Sequence, residues 1–141
     1  APVLIFGGSE ESDLKEMISK SAGGGCHVVS GTTFRQTAAL IRRCFLFVSN
    51  DSALMHTAAA LQVPCVTIFG PTSPARVQPY RAPHRVVRVG LPCSPCFYYS
   101  PRPLTCHAHL DFQCIRDVSV ELVCRAAADL AKEIEGGTGR A

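Results

Sequence analysis

Phe45-Leu46-Phe47-Val48-Ser49-Asn50-Asp51-Ser52-Ala53-Leu54-Met55-His56 decides the fold. Four consecutive apolar residues leave no polar face, which suits a strand of a parallel sheet covered on both sides. Ser49-Asn50-Asp51-Ser52 is a cluster of turn and helix-capping residue types. Small residues then continue as a helix over 53–61, and Pro64 blocks its extension. Strand, tight turn and helix in this order make one βα unit.

The same unit repeats on either side. Residues 2–6 read as a short buried strand closed by Gly7-Gly8. Ser9 is placed to cap a helix over 10–21, with Leu14, Met17, Ile18 and Ser21 on one face. Gly23-Gly24-Gly25 stops that helix. Residues 26–30 form a second strand. Thr33-Phe34-Arg35-Gln36 has capping-box spacing and opens a helix facing inward through Phe34, Thr37, Ala38 and Ile41. Residues 65–69 and 85–89 are further strands, with a loop or short turn over 70–74. The stretch 90–117 is rich in Pro and Cys and lacks helical periodicity. Ser119 can cap a final helix whose face is Val120, Val123, Ala127, Leu130 and Ile134, ended by Gly136-Gly137. Alternation of this kind predicts a parallel α/β sheet with right-handed crossovers.

Composition removes several classes. With 141 residues, 47% hydrophobic and 18% charged, the chain is neither disordered nor low-complexity. Its apolar runs are too short for a membrane span. A net charge of +3 with dispersed basic residues argues against a nucleic-acid partner. The N-terminus reads as a strand rather than a secretion leader. That implies a reducing compartment, and the absence of an initiating Met suggests a piece of a longer chain. Gly7-Gly8-Ser9-Glu10-Glu11 is not Gly-x-Gly-x-x-Gly, which disfavours hydride transfer.

Ligands on such sheets bind at the carboxyl ends of the strands. That rule selects residues 7–11, 30–33, 49–56 and 70–76. Among these, the turn at 50–56 carries the most chemistry. A helix N-terminus with open N–H groups is a natural phosphate site, and small residues let a ligand approach the backbone. Asp51 can accept hydrogen bonds from sugar hydroxyls or cap the helix. His56 lies about one and a half turns further on, as a ligand contact or a plain surface residue.

Asn50-Asp51-Ser52-Ala53-Leu54-Met55-His56, the Ala-rich helix after it, and Phe69-Gly70-Pro71-Thr72-Ser73-Pro74 together resemble glycosyltransferase family 9, the ADP-heptose:lipopolysaccharide heptosyltransferases. That family carries an Asp-Ser/Thr-Gly-x-x-His turn followed by Phe/Tyr-Gly-Pro-Thr-Asp-Pro. Pro92-Cys93-Ser94-Pro95-Cys96-Phe97 and Cys114-Ile115-Arg116-Asp117-Val118-Ser119 add to the likeness. Two positions depart: Ala53 replaces the usual Gly and Ser73 the usual Asp.

The resemblance implies an α/β fold, a Rossmann-like parallel sheet flanked by helices that forms the C-terminal half of a GT-B glycosyltransferase. Residues 1–135 would be a nucleotide-sugar-binding domain lacking its first strand, with a Cys/Pro-rich loop at 90–117 and a flexible tail at 136–141. By position, Asp51 faces the donor sugar, Ser52 and Ala53 the diphosphate, and His56 the sugar-phosphate. Glu11 matches the acid on the nucleotide ribose, with an exposed first-turn acid as the alternative. Thr32 and Thr33 lie beside the adenine. The catalytic base belongs to an N-terminal acceptor domain outside this chain, so the chain is expected to be inactive alone. The implied partners are ADP-heptose and a lipid-anchored core oligosaccharide, at the cytoplasmic face of the inner membrane. No cofactor is required. Exposed surface left by absent parts could make the chain a homodimer.

Three alternatives stay open. One is a related GT-B enzyme using a UDP- or GDP-sugar. Another is a sugar epimerase of similar architecture. The third is a non-enzymatic module built on the cysteine loop. There, Cys93-x-x-Cys96 is followed by Cys106 and Cys114. Cys93, Cys96, Cys106 and Cys114 are candidates for a structural zinc, and Cys106-x-x-His109 could instead supply the second half. Free thiols or a disulfide are the competing readings. Tyr98 and Tyr99 would cover the loop. The other four cysteines, in apolar segments, read as small buried hydrophobes.

Overall fold

The computed structural model describes residues 2–97 and 104–137. Tyr98, Tyr99 and the end of the expected tail lie outside them. The chain gathers into two compact units, residues 1–40 and 41–141.

In the first unit, β1 (Val3–Ile5) pairs in parallel with β2 (Cys26–Val28), Val3 opposite Cys26 and Ile5 opposite Val28. A 3-10 turn (Ser9–Glu11) leads into α1 (Ser12–Ser21). Ser9 therefore does not cap a helix over 10–21. Instead Glu11 folds back, and its Oε2 accepts the Gly8 N–H at 2.9 Å. The apolar face of α1 does not turn inward. Leu14, Met17 and Ile18 are exposed, whereas Lys15 is buried at 3% exposure. Lys15 Nζ donates to the carbonyls of Gly7 at 3.1 Å and Gly8 at 2.9 Å, groups that the strand end leaves without a ladder partner. Gly23, Gly24 and Gly25 end α1 with positive φ angles of 66°, 105° and 82°, which side chains disfavour. The Thr33–Gln36 capping box forms as read. Gln36 Oε1 accepts Thr33 N–H at 2.8 Å, and Thr33 Oγ1 accepts Gln36 N–H at 3.4 Å. It opens α2 (Phe34–Ile41), in which Ile41 is buried but Phe34 is exposed.

In the second unit, β3 (Phe47–Asn50), β4 (Cys65–Ile68) and β5 (His84–Val87) form a parallel sheet in that order. Strand β3 sits two residues later than the apolar run. Its ladder with β4 continues to Asn50 opposite Ile68, which leaves Phe45 outside and exposed. Between β3 and β4, α3 (Ala53–Ala60) buries Met55, Ala58 and Ala59 and lies on both strands. A short α4 (Pro74–Val77) follows β4. The segment read as irregular contains one helical turn, α5 (Gln113–Arg116). Finally α6 (Val120–Gly137) crosses β4 and β5. Leu130 on α6 packs with Val66 and Val87 to make the core, flanked by Leu46, Val123, Ala127 and Ile134. Ser119 Oγ caps α6 through Leu122 N–H at 3.2 Å. Val120, placed on the inner face by periodicity, is exposed because it precedes the first packed turn. The helix runs through Gly136 and Gly137 rather than stopping before them.

Every strand pair among the described residues is parallel, and helices flank the strands, as the alternation predicts. Among the described residues no helix is long and apolar enough to cross a membrane.

Candidate functional site

Strand β3 delivers Asn50 and Asp51 to the start of α3. Ser52 takes an extended conformation, φ −153° and ψ 165°, and its Oγ accepts the Met55 N–H at 3.3 Å. The Ser52 and Ser49 hydroxyls share a hydrogen bond at 3.0 Å, and Ser49 Oγ also donates to the Asn50 carbonyl at 2.9 Å. The cap of α3 is thus Ser52 and not Asp51. That leaves the Asp51 carboxylate free of capping duty. Its Oδ1 stands 3.9 Å from His56 Nε2, too far for a hydrogen bond but within ion-pair range when the imidazole is protonated. With Met55 N–H taken by Ser52, the amides of Ala53 and Leu54 are the open donors of the first turn. Ala53 is exposed, so its small side chain leaves that turn accessible. One turn therefore combines open amides, a helix N-terminus, a half-buried carboxylate and an exposed imidazole. Such a set can hold a phosphate and a hydroxyl-bearing group side by side.

The next strand end is tightly built. Phe69, Gly70 and Pro71 are buried. The Pro71 carbonyl accepts the amides of Cys96 and Phe97, both at 2.9 Å. The Gly70 carbonyl accepts the Ser94 hydroxyl, and Arg88 Nη2 donates to the Ser94 carbonyl at 2.8 Å. A Cβ on Gly70 would overlap the Ile115 side chain and come within 3.3 Å of Cys114 Sγ. Arg76 is exposed on α4.

In the first unit, Glu11 follows β1, and Thr32 and Thr33 follow the neighbouring β2. All three are exposed. Their side chains already have local partners: Glu11 on Gly8, Thr33 on Gln36, and Thr32 Oγ1 on Thr37 Oγ1 at 2.9 Å. The structure thus unites Asp51, Ser52, Ala53 and His56 in one turn. It sets Glu11 and the two threonines at adjacent strand ends of the other unit. Two participants escaped the sequence reading. Ser49 completes the hydroxyl pair behind the cap, and Lys15 ties the Gly7-Gly8 carbonyls beside Glu11. Lysine one turn after Glu11 was a readable signal for the second.

Cys93, Cys96, Cys106 and Cys114 all line one cavity of about 280 Å³. His107 lines it too, but His109 does not. All four thiols are free. Backbone hydrogen bonding, from Phe112 foremost and also from Leu110 and Ala108, holds the Cys106 thiol below its ordinary value. Burial pushes the Cys114 thiol up, helped by the charges that Cys96, Cys106 and Cys93 would carry. Cys65 behaves as the buried hydrophobe expected of it, its pKa pushed up to about 11 by burial. Cys124, by contrast, is exposed on α6, contrary to its apolar surroundings in sequence.

A profile of Glycosyltransferase family 9 (heptosyltransferase) matches residues 2–105. The chain belongs to glycosyltransferase family 9. Among curated family 9 proteins, it is 31% identical over 136 residues to lipooligosaccharide heptosyltransferase 2 of Campylobacter jejuni, covering 92% of this chain and 41% of that one. It is 34% identical over 92 residues to lipopolysaccharide heptosyltransferase 2 of Salmonella typhimurium, covering 62% of this chain and 26% of the relative. The chain thus spans well under half the length of these relatives. Among solved structures, ADP-heptose lps heptosyltransferase II of E. coli superposes with a TM-score of 0.74 at 27% identity, over 95% of this chain and 37% of that one. A family 9 glycosyl transferase from Veillonella parvula gives a TM-score of 0.73 at 23% identity, over 94% of this chain and 37% of that one, a likeness of fold.

Proposed function

We propose that this chain is the donor-binding portion of a glycosyltransferase that moves heptose from ADP-heptose to a lipopolysaccharide core acceptor. The observation that carries this reading is the turn from Asp51 to His56, in a chain whose matched relatives are heptosyltransferases. The Ala53 and Leu54 amides receive the diphosphate at the positive end of α3. Asp51 accepts from the donor sugar's hydroxyls. His56, when protonated, steadies the phosphate beside the anomeric carbon. An acceptor hydroxyl then attacks the anomeric carbon while the bond to the nucleoside diphosphate breaks. The proton of that hydroxyl passes to a base supplied by another part of the enzyme. This portion contributes positioning and electrostatic stabilisation of the leaving diphosphate. The reaction is assigned to the cytoplasmic face of the inner membrane.

Ala53 and Ser73, where the family pattern has Gly and Asp, favour a second reading in which the same site takes a UDP- or GDP-sugar. Titrating the labelled chain with ADP, UDP and GDP, followed by two-dimensional NMR, separates these. The expected result is shifts centred on residues 51–56, strongest with ADP. A preference for UDP or GDP moves the donor assignment to the second reading. No shift with any nucleotide, in a folded sample, removes donor binding from this chain.

A further inference from the structure

The cysteine cavity belongs to neither the turn at 51–56 nor the sugar chemistry. Cys93 and Cys96 come from the segment that leaves β5. Cys114 comes from α5, and Cys106 from the turns before it. Successive parts of one stretch thus bring four cysteines to one apolar cavity of about 280 Å³. The backbone just after Cys106 is tightly wound. His109, Asp111 and Phe112 have positive φ angles of 55°, 45° and 56°. Pairing Cys106 with His109 is the weaker alternative, because His109 does not line the cavity. The same segment is anchored to the strand end after β4, through Cys96 and Phe97 on the Pro71 carbonyl and Ser94 on the Gly70 carbonyl.

We propose that Cys93, Cys96, Cys106 and Cys114 bind a single zinc ion, which locks the segment around the cavity onto the Gly70-Pro71 turn. Zinc is the ion of choice for four cysteine sulfurs, and a Cys-x-x-Cys pair supplies half of such a site. Among the described residues no group of three or more His, Cys, Asp or Glu already stands in a metal-holding arrangement. Binding therefore draws the sulfurs inward and releases their protons. The ion fastens this loop to the strand end after β4, through the Gly70 and Pro71 carbonyls.

The test is an anaerobic cobalt titration of the reduced, chelator-treated chain, with zinc added at the end. The expected result is one equivalent of cobalt showing thiolate charge-transfer and the intense visible bands of a tetrahedral sulfur site, bleached by zinc. Hydrogen exchange at residues 70–72 and 93–97 should slow when zinc is present. Cys106→Ser should weaken cobalt binding by more than the roughly tenfold to hundredfold cost of losing an outer-shell partner. Cys124→Ser, an exposed thiol on α6, should change nothing. Featureless cobalt spectra in a chain whose NMR spectrum is folded overturn the proposal. So does mass-spectrometric proof of a disulfide among the four in chain isolated under thiol-trapping conditions.

Discussion

His56 Nε2 and Asp51 Oδ1 face each other at 3.9 Å across the first turn of α3, with the imidazole half exposed and the carboxylate largely covered. They are close enough to share one bound group and too far apart to satisfy each other. Removing Asp51 should therefore affect the sugar more than the nucleotide. Asp51→Ala is expected to weaken ADP-heptose binding by about tenfold, the worth of one charge-assisted hydrogen bond, while leaving ADP binding nearly unchanged. His56→Ala should weaken both. Calorimetry with the two ligands checks this, and equal losses for Asp51→Ala would move Asp51 off the sugar.

Ser52 is the cap of α3, through Met55 N–H. Ser52→Ala should cost about 1 kcal/mol in urea unfolding, and Ser52→Thr much less. An unchanged midpoint for Ser52→Ala would mean that Ser49 or water takes over the cap.

Gly70 has no room for a Cβ beside Ile115. Gly70→Ala should destabilise the chain by about 1–3 kcal/mol through overpacking. Ile115→Ala should recover part of that loss in the double variant, because the two side chains compete for one space. Additive losses would place the strain elsewhere.

The thiols should react in a fixed order. Backbone hydrogen bonds from Phe112 first of all hold the Cys106 pKa low, so more of it is thiolate at a given pH. In chelator-treated chain its alkylation should level off at a lower pH than that of free cysteine. Cys65, pushed up to about 11 by burial, should stay unmodified until the chain unfolds. Its folded value lies above the ordinary 9.0, so its contribution to stability is present below 9.0 and is lost as pH rises toward about 11. Site-resolved alkylation by mass spectrometry and unfolding at alkaline pH test the two halves separately.

Lys15 satisfies two carbonyls at the end of β1 from a buried position. Lys15→Met keeps the stem and removes the donors. It should cost about 1–3 kcal/mol, since both carbonyls lose a partner away from water. Chemical denaturation measures it, and a neutral outcome would show that water reaches Gly7 and Gly8.

Much of this was legible in the sequence, for identifiable reasons. The Thr33 capping box and the Ser119 cap are local chemistry, and both formed as read. The turn at 50–56 was legible because polar capping residues follow an apolar run. Burial on α1 was not. Leu14, Met17 and Ile18 have the right period, but the tertiary need of the Gly7 and Gly8 carbonyls turns Lys15 inward. The one-turn α5 was hidden because its residues have no helical period to display. Whether Asp51 or Ser52 caps α3 also lay beyond sequence, since both residue types serve and only the backbone at Ser52 decides.

The packing of α3 has a consequence for how such a site can diversify. Ala58 and Ala59 are at 0% and 2% exposure, so this helix lies nearly flush on β3 and β4. Any larger residue there would lift the helix and carry the open amides away from the strand ends. Packing tolerates change along the outward edge, at Ala53, His56 and Ala60, all exposed, where it acts on the ligand and not on the core. A lineage altering its choice of sugar would leave its record on that edge and keep the inner one silent.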